Sequence, residues 1–172
     1  MYKRQPFYQA KLVWFSRLSR WLQETQEPNQ ALLIGGDFNI APTDDDVWDA
    51  RACHGGTHVS GPERAAFKEL TSWGLVDAYR LHHPEPQRYT WWDYRAGAFH
   101  KNMGMRIDHV LVTRPLAERV VTSEIDREAR KGKPTPSDHT PLVIDIDQPG
   151  RPFDAGWADA QQRIAARSAV QG

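Results

Sequence analysis

The chain has 172 residues, enough for one domain with a sizeable core, and its 40% apolar and 26% charged content is that of an ordinary globular protein. Its 22 basic and 22 acidic residues cancel, which excludes a globally basic nucleic-acid binder and leaves any such contact to a local patch. The one cysteine, Cys53, excludes an intramolecular disulfide and fits a reducing compartment. Met1-Tyr2-Lys3-Arg4-Gln5-Pro6 lacks the apolar region of a secretory leader, and no later run approaches membrane-spanning length, so a cytoplasmic chain is expected.

Residues 6–24 predict an amphipathic helix. Tyr8, Leu12, Phe15, Leu18 and Leu22 recur at helical spacing, Trp14 and Trp21 widen the apolar face, and Glu27-Pro28-Asn29 stops the run. The apolar run 31–34 then predicts a strand buried on both faces, in parallel pairing within a layered α/β fold, because nothing polar interrupts it and a helix precedes it. It runs into Gly35-Gly36-Asp37-Phe38-Asn39-Ile40-Ala41-Pro42-Thr43-Asp44. Side chains two apart on an extended segment point the same way, so Asp37 and Asn39 are expected to face one spot at the strand's C-terminal end. A carboxylate beside an amide suits a hard cation and phosphate oxygens; the plainer reading is an Asx turn closing a strand.

Residues 44–61 read as a long loop, with Trp48 and a Gly/His-rich stretch. Cys53, His54 and His58 do not have the spacing of a four-ligand zinc site, so a surface or substrate-side loop is favoured over a metal cluster. Pro62 opens a helix carrying Phe67, Leu70 and Trp73, and Gly74 ends it. After a short segment, 75–80, the aromatic run Tyr89-Thr90-Trp91-Trp92-Asp93-Tyr94-Arg95 predicts a strand.

Residues 105–112 predict a further strand, with Met105, Ile107, His109 and Leu111 on one face and Arg106, Asp108, Val110 and Val112 on the other. Asp108 then sits among branched apolar neighbours and needs a partner. Arg106 is the structural candidate; His139, whose tautomer a carboxylate would fix, is the functional one. Residues 115–119 predict a helical turn and 120–128 a strand. The basic run from Arg127 to Lys133 reads as a solvated loop able to meet a phosphate backbone. Asp138 and His139 are locked among prolines before the strand Leu142–Ile146, where one can face a metal while the other faces a phosphoryl oxygen. From Pro149 the composition predicts a linker (149–156), then a weakly helical or disordered tail on Trp157, Gln161, Ile164 and Ala165. The domain is therefore placed at 1–148 and the tail at 149–172.

Taken in order, Gly36-Asp37-Phe38-Asn39 with Pro42-Thr43-Asp44, Trp73 to Arg80, Thr90 to Arg95, Gly104 to His109 and Ser137 to Pro141 resemble the exonuclease III family. These are DNA-repair nucleases within the endonuclease/exonuclease/phosphatase superfamily. The first and last motifs would mark only the superfamily, which also cleaves lipids and phosphoinositides. Trp-Asp-Tyr-Arg and Gly-Met-Arg-Ile-Asp point to the DNA-repair branch. The resemblance spans about residues 6–147.

It implies an α/β fold, a four-layer sandwich of two β-sheets flanked by helices, here incomplete at the N-terminus. It implies magnesium, with manganese as a substitute, and water attack on a DNA phosphodiester: incision at abasic sites, removal of 3′ blocks, and 3′-to-5′ degradation. By the same resemblance Asp37 handles the attacking water, Asn39 holds phosphate and water, Asp108 buttresses His139, and His139 stabilises transition-state charge. Asp138, Asp37 and Asn39 stand at the metal. Trp91, Trp92 and Met105 line a pocket for a base-less deoxyribose, with Arg95 on the substrate side. The implied partner is double-stranded DNA bearing abasic sites or 3′ ends, met by a monomeric, nucleoid-associated cytoplasmic protein without membrane contact. The family's opening strands, with an asparagine, a Gln-Glu pair whose glutamate is the main metal ligand, and a phosphate-contacting tyrosine, have no counterpart here. The chain is therefore expected to be at best a weak enzyme alone, or else a non-catalytic remnant that binds DNA or a partner protein.

Overall fold

A computed structural model describes residues 6–158 and 160–162. Helix α1 (Pro6–Thr25) and helix α3 (Gly61–Trp73) lie against one face of a three-stranded sheet of order β1-β5-β2. Its strands are β1 (Leu33–Asp37), β2 (Leu75–Asp77) and β5 (Asp108–Thr113). The apolar stripes of the helices meet the sheet in a core of Phe15, Leu22, Phe38, Ile40, Phe67, Leu70, Leu75 and Leu111. α3 starts where its sequence directs: the Ser60 side chain caps Glu63 N while the Glu63 carboxylate returns to Ser60 N, a reciprocal capping box. The sheet's other face buries Ala78, Val112, Leu116 and Val120, against which Val110, Ile144 and Ile146 pack. Besides Val110 and Val112 of β5, these belong to helix α4 (Ala78–His82), helix α6 (Arg114–Ala117) and the antiparallel pair β6 (Val120–Ile125) and β7 (Leu142–Ile146). A small ribbon, β3 (Trp91–Trp92) with β4 (Gly104–Met105), completes the strands; helix α2 (Ala50–Cys53) and helix α5 (Ala98–Lys101) sit in the loops beside it. Mixed helix and sheet, with sheets flanked by helices, is the architecture the sequence led us to expect.

Several local expectations change. β1 is an edge strand, antiparallel to β5, and Leu33 is 42% exposed. A short apolar run looks the same whether one or both of its edges are paired, so the sequence could not separate the cases. The strand expected over 105–112 breaks between β4 and β5, and the aromatic run 89–95 is extended in the ladder only at Trp91–Trp92. The loop 44–61 contains a helical turn at Asp44–Asp46 as well as α2.

The basic run is solvated only in its second half: Lys131 and Lys133 are exposed, but the arginines are not. Arg127 and Arg130 are buried, with their guanidiniums 4.0 and 5.1 Å from the Phe99 ring centroid. The stretch after Pro149 returns to the body: Ala155 and Trp157 join Tyr79, Tyr89, Trp92, Ala98 and Ile125 in a second core, and Trp157 Nε1 donates to Ile125 O at 2.7 Å. Ile164 and Ala165 lie outside the described residues.

A buried ionic network ties these parts together. Asp46 is fully buried and accepts from Arg106 Nε (2.7 Å), Arg80 Nη2 (2.5 Å) and Thr43 Oγ1 (2.8 Å). Arg106 Nη1 donates to Asp77 Oδ2 (2.7 Å) and to His109 Nδ1 (3.0 Å), while His109 Nε2 donates to Ile40 O (2.8 Å). Arg106 therefore spans Asp46 and Asp77, and it is not the partner of Asp108. Burial by itself would raise both carboxyls, but Arg106 holds Asp46 and Asp77 below their ordinary value. A carboxyl depressed in the folded state adds stability above its unfolded value of 3.8, lost as pH falls through the folded value. Arg106→Met should cost about 3–5 kcal/mol near neutral pH by stranding two buried carboxylates, and less in acid, where protonation relieves them. Urea unfolding of both proteins between about pH 3 and pH 7 checks this.

Candidate active site

The antiparallel register of β1 on β5 places Asp37 directly opposite Asp108. Their side chains share the face that also carries Gly35 opposite Val110 and Leu33 opposite Val112. Two carboxylates so placed repel each other, and His139 lies between them. Its Nδ1 is 2.9 Å from Asp108 Oδ2 and its Nε2 is 3.9 Å from Asp37 Oδ2. Because the carboxylate accepts, Nδ1 carries the proton and Nε2 is turned toward Asp37. Ligand atoms of Asp37, Asp108 and His139 all lie within 4.8 Å of one another, the grouping of this kind found among the described residues. Asp37 and His139 keep about a third of their side-chain surface in solvent. Atoms 3.9 Å apart can both accept from one water whose oxygen lies about 2.8 Å from each.

Asn39 joins Asp37 through an Asx turn. Asn39 N donates to Asp37 Oδ1 (2.8 Å) and Asn39 Nδ2 to Asp37 Oδ2 (2.7 Å). The two plausible sequence readings, structural turn and functional pair, are thus one arrangement. The backbone leaves the strand at Phe38 and Asn39 has φ +52°, so the meeting comes from the turn and not from strand alternation.

His139 is delivered by the 137–140 segment, which bridges Trp91 and is held by Trp92 N to Asp138 O (3.1 Å) and Thr140 N to Thr90 O (2.8 Å). Thr90 is fully buried and links both sides of the pair: its Oγ1 accepts from Ile107 N (3.1 Å) and Asp108 N (3.0 Å). Sequence reading quoted Thr90 inside a motif but gave it no task; a buried hydroxyl among aromatic residues was the available signal.

The other expected residues are spread around this centre. Asp138 does not join the converging group; its Oδ2 accepts from Trp91 Nε1 at 2.9 Å. Trp91 and Met105 face each other across β3 and β4 and pack partly buried beside Ala41, Val47, Cys53 and Ile107. Trp92 is fully buried in the second core with Phe99 and Trp157, so it lines no pocket. Adjacent residues of a strand point to opposite faces, which the expectation of two neighbouring pocket walls overlooked. Arg95 is exposed and makes a bidentate pair with Asp93. Cys53 and His58 do not group with His54 as a metal cluster. His58 instead faces the site: its Nδ1 is 2.8 Å from Asn39 O, and burial pushes its imidazole below the ordinary value. A cleft of about 550 Å³ opens beside Asp37 and Asn39, lined also by Tyr8, Lys11, Trp14 and His58.

A profile of the Endonuclease/Exonuclease/phosphatase family matches residues 4–139. The chain belongs to that family. Within the family its likeness is to the exonuclease III group. It is 34% identical to the exodeoxyribonuclease III of Haemophilus influenzae over 142 residues, which are 78% of this chain and 53% of that protein. Among solved structures it superposes on an AP endonuclease from Archaeoglobus fulgidus (TM-score 0.79, 37% identity, 84% of this chain and 56% of that one). It likewise superposes on a 3′-5′ exonuclease from Neisseria meningitidis (TM-score 0.80, 37% identity, 85% and 57%). The chain spans about half the length of the curated relatives it matches.

Thr90→Val keeps the shape but strands two amide donors at the foot of Asp108. Urea unfolding is expected to show a loss of about 1–3 kcal/mol. Long-range ¹⁵N spectra of the native chain are expected to show His139 protonated on Nδ1, and Asp108→Ala should redistribute that proton toward Nε2.

Proposed function

We propose that this chain carries the phosphate-attacking part of a DNA-repair phosphodiesterase of the exonuclease III type. The observation that carries the reading is the convergence of Asp37, Asn39, Asp108 and His139 at one solvent-open strand end. Family membership supplies the reaction class, and a 3′ phosphatase structure from Neisseria bound to product DNA hairpin supports DNA as substrate.

The roles are those the family resemblance implies, and each residue's surroundings support them. Asp37, reached by solvent, orients and deprotonates an attacking water. Asn39 fixes the Asp37 carboxylate by two hydrogen bonds and offers its remaining amide capacity to a phosphate oxygen. Asp108 holds the His139 ring so that Nε2 points at the same spot, where an imidazolium would stabilise charge on the phosphoryl oxygens. Trp91 and Met105 present an apolar wall near that segment for a sugar lacking its base, and recognition rests on phosphate contacts and duplex distortion.

The donor set fits a hard divalent cation that keeps much of its water: an exposed carboxylate oxygen of Asp37 with an amide beside it. Asp37 and Asn39 would hold it, and magnesium would supply charge neutralisation and a more acidic water. Asp108 is already engaged by His139, so a single carboxylate remains for the cation and binding should be weak.

A second reading, a binding remnant or a part needing completion, is favoured by one specific feature. β1 ends its sheet with an edge unpaired among the described residues, and Phe7 and Trp14 are exposed on α1 close to the cleft.

Incision of an abasic-site duplex by the purified chain, with magnesium or chelator and beside His139→Ala, separates the readings. Magnesium-dependent cutting lost in the variant supports the enzyme. Duplex binding without cutting by folded protein supports the remnant. Manganese relaxation measurements should show weak binding that Asp37→Ala abolishes.

A further inference from the structure

Asn39 is a non-glycine residue at φ +52°, a conformation that costs about 1 kcal/mol or more unless its surroundings hold it. The turn's own hydrogen bonds to Asp37 account for its amide and side chain. Its carbonyl is held separately, and by donors from two distant segments. Lys11 Nζ from α1 donates to Asn39 O at 2.9 Å, and His58 Nδ1 from the loop before α3 donates to the same oxygen at 2.8 Å. A carbonyl oxygen has two lone pairs, and both are occupied.

The two donors are themselves aimed by one buried acid. Glu63 is fully buried, ion-paired to Lys11, and accepts from His58 N (3.0 Å) and Ser60 N (2.9 Å). The loop is closed once more by Ala41 N donating to His58 O at 2.8 Å. A helix cap alone needs only the Ser60–Glu63 exchange. Drawing a lysine and a histidine onto one carbonyl goes beyond capping.

We infer that Lys11 and His58 are positioning residues: they clamp the Asn39 carbonyl and so hold the left-handed turn that aims its side-chain amide at Asp37. Neither touches the reacting atoms. Their effect on turnover rests on the nuclease reading above, but the clamp itself does not.

Amide hydrogen exchange followed by NMR tests the clamp without any activity. In Lys11→Met and in His58→Phe, exchange at the Asn39 amide should accelerate about tenfold, as loss of one hydrogen bond allows, with Leu111 and Val112 protected as before. Lys11→Arg and His58→Gln, which keep a donor, should restore slow exchange at Asn39. If stranding Glu63 unfolds Lys11→Met, Lys11→Met combined with Glu63→Gln removes the buried charge and serves in its place. Unchanged Asn39 exchange in folded donor-less variants overturns the inference, as does equal acceleration at Leu111 and Val112, which would mark general destabilisation. Where the chain cuts DNA, the same variants should lower kcat and leave KM in place. A chain that cuts nothing leaves the exchange result standing.

Discussion

Two aspartates facing each other across an antiparallel ladder are a repulsive arrangement, and the local structure is organised around making it tolerable. Asp37 ends β1 and Asp108 begins β5, so the repulsion sits at the open end of the pair, where water screens it. His139 lies between the two, and Asn39 donates two hydrogen bonds to the first. Each compensating group must come from elsewhere in the chain: the turn after β1, and the segment before β7. The fold brings these together at one place, and a group of charges gathered at an exposed strand end is more useful for chemistry than for stability.

Beneath that end lies the opposite solution to the same problem. Asp46 and Asp77 also share a partner, but Asp46 is buried and Asp77 largely so, and Arg106 spans them with Arg80 and His109 at the flanks. Buried charge persists only when its partners are complete. The network joins the loop after β1 to β2, α4 and β5, so it fixes the floor on which the exposed pair stands. One pair is neutralised and rigid; the other is left partly open. The difference is solvent access and, among the described residues, the absence of a guanidinium paired at the outer site.

The arginines of the 127–133 run show how burial redirects a residue's role. Their charge invited a phosphate-facing reading, yet Arg127 and Arg130 lie on aromatic faces and help close the second core, where Trp157 also docks. An Arg side chain has a planar apolar surface as well as a charge, and linear sequence does not say which will be used. The same holds for Trp91 and Trp92: composition marks both as large and β-prone, while alternation sends one toward the site and the other into the core.

What the sequence determined by itself was the periodic and the local. α1 and α3, with their stops, follow from helical spacing, Pro62 and the Glu27-Pro28-Asn29 and Gly74 terminators, and Gly-Asp-x-Asn announced a turn carrying a carboxylate and an amide. Motif order marked the family, and the unpaired Asp108 called for a partner that proved to be His139. Tertiary structure alone decided the rest, because it depends on contacts between residues far apart in the chain. Register made Asp37 and Asp108 neighbours, burial sent Arg106 to Asp46 and Asp77, and packing of α1 on the loop before α3 set Lys11 and His58 on one carbonyl. A lysine on the buried side of an amphipathic helix was the trace these contacts left in the sequence. Its partner lies 28 residues away, and periodicity carries no information over that distance.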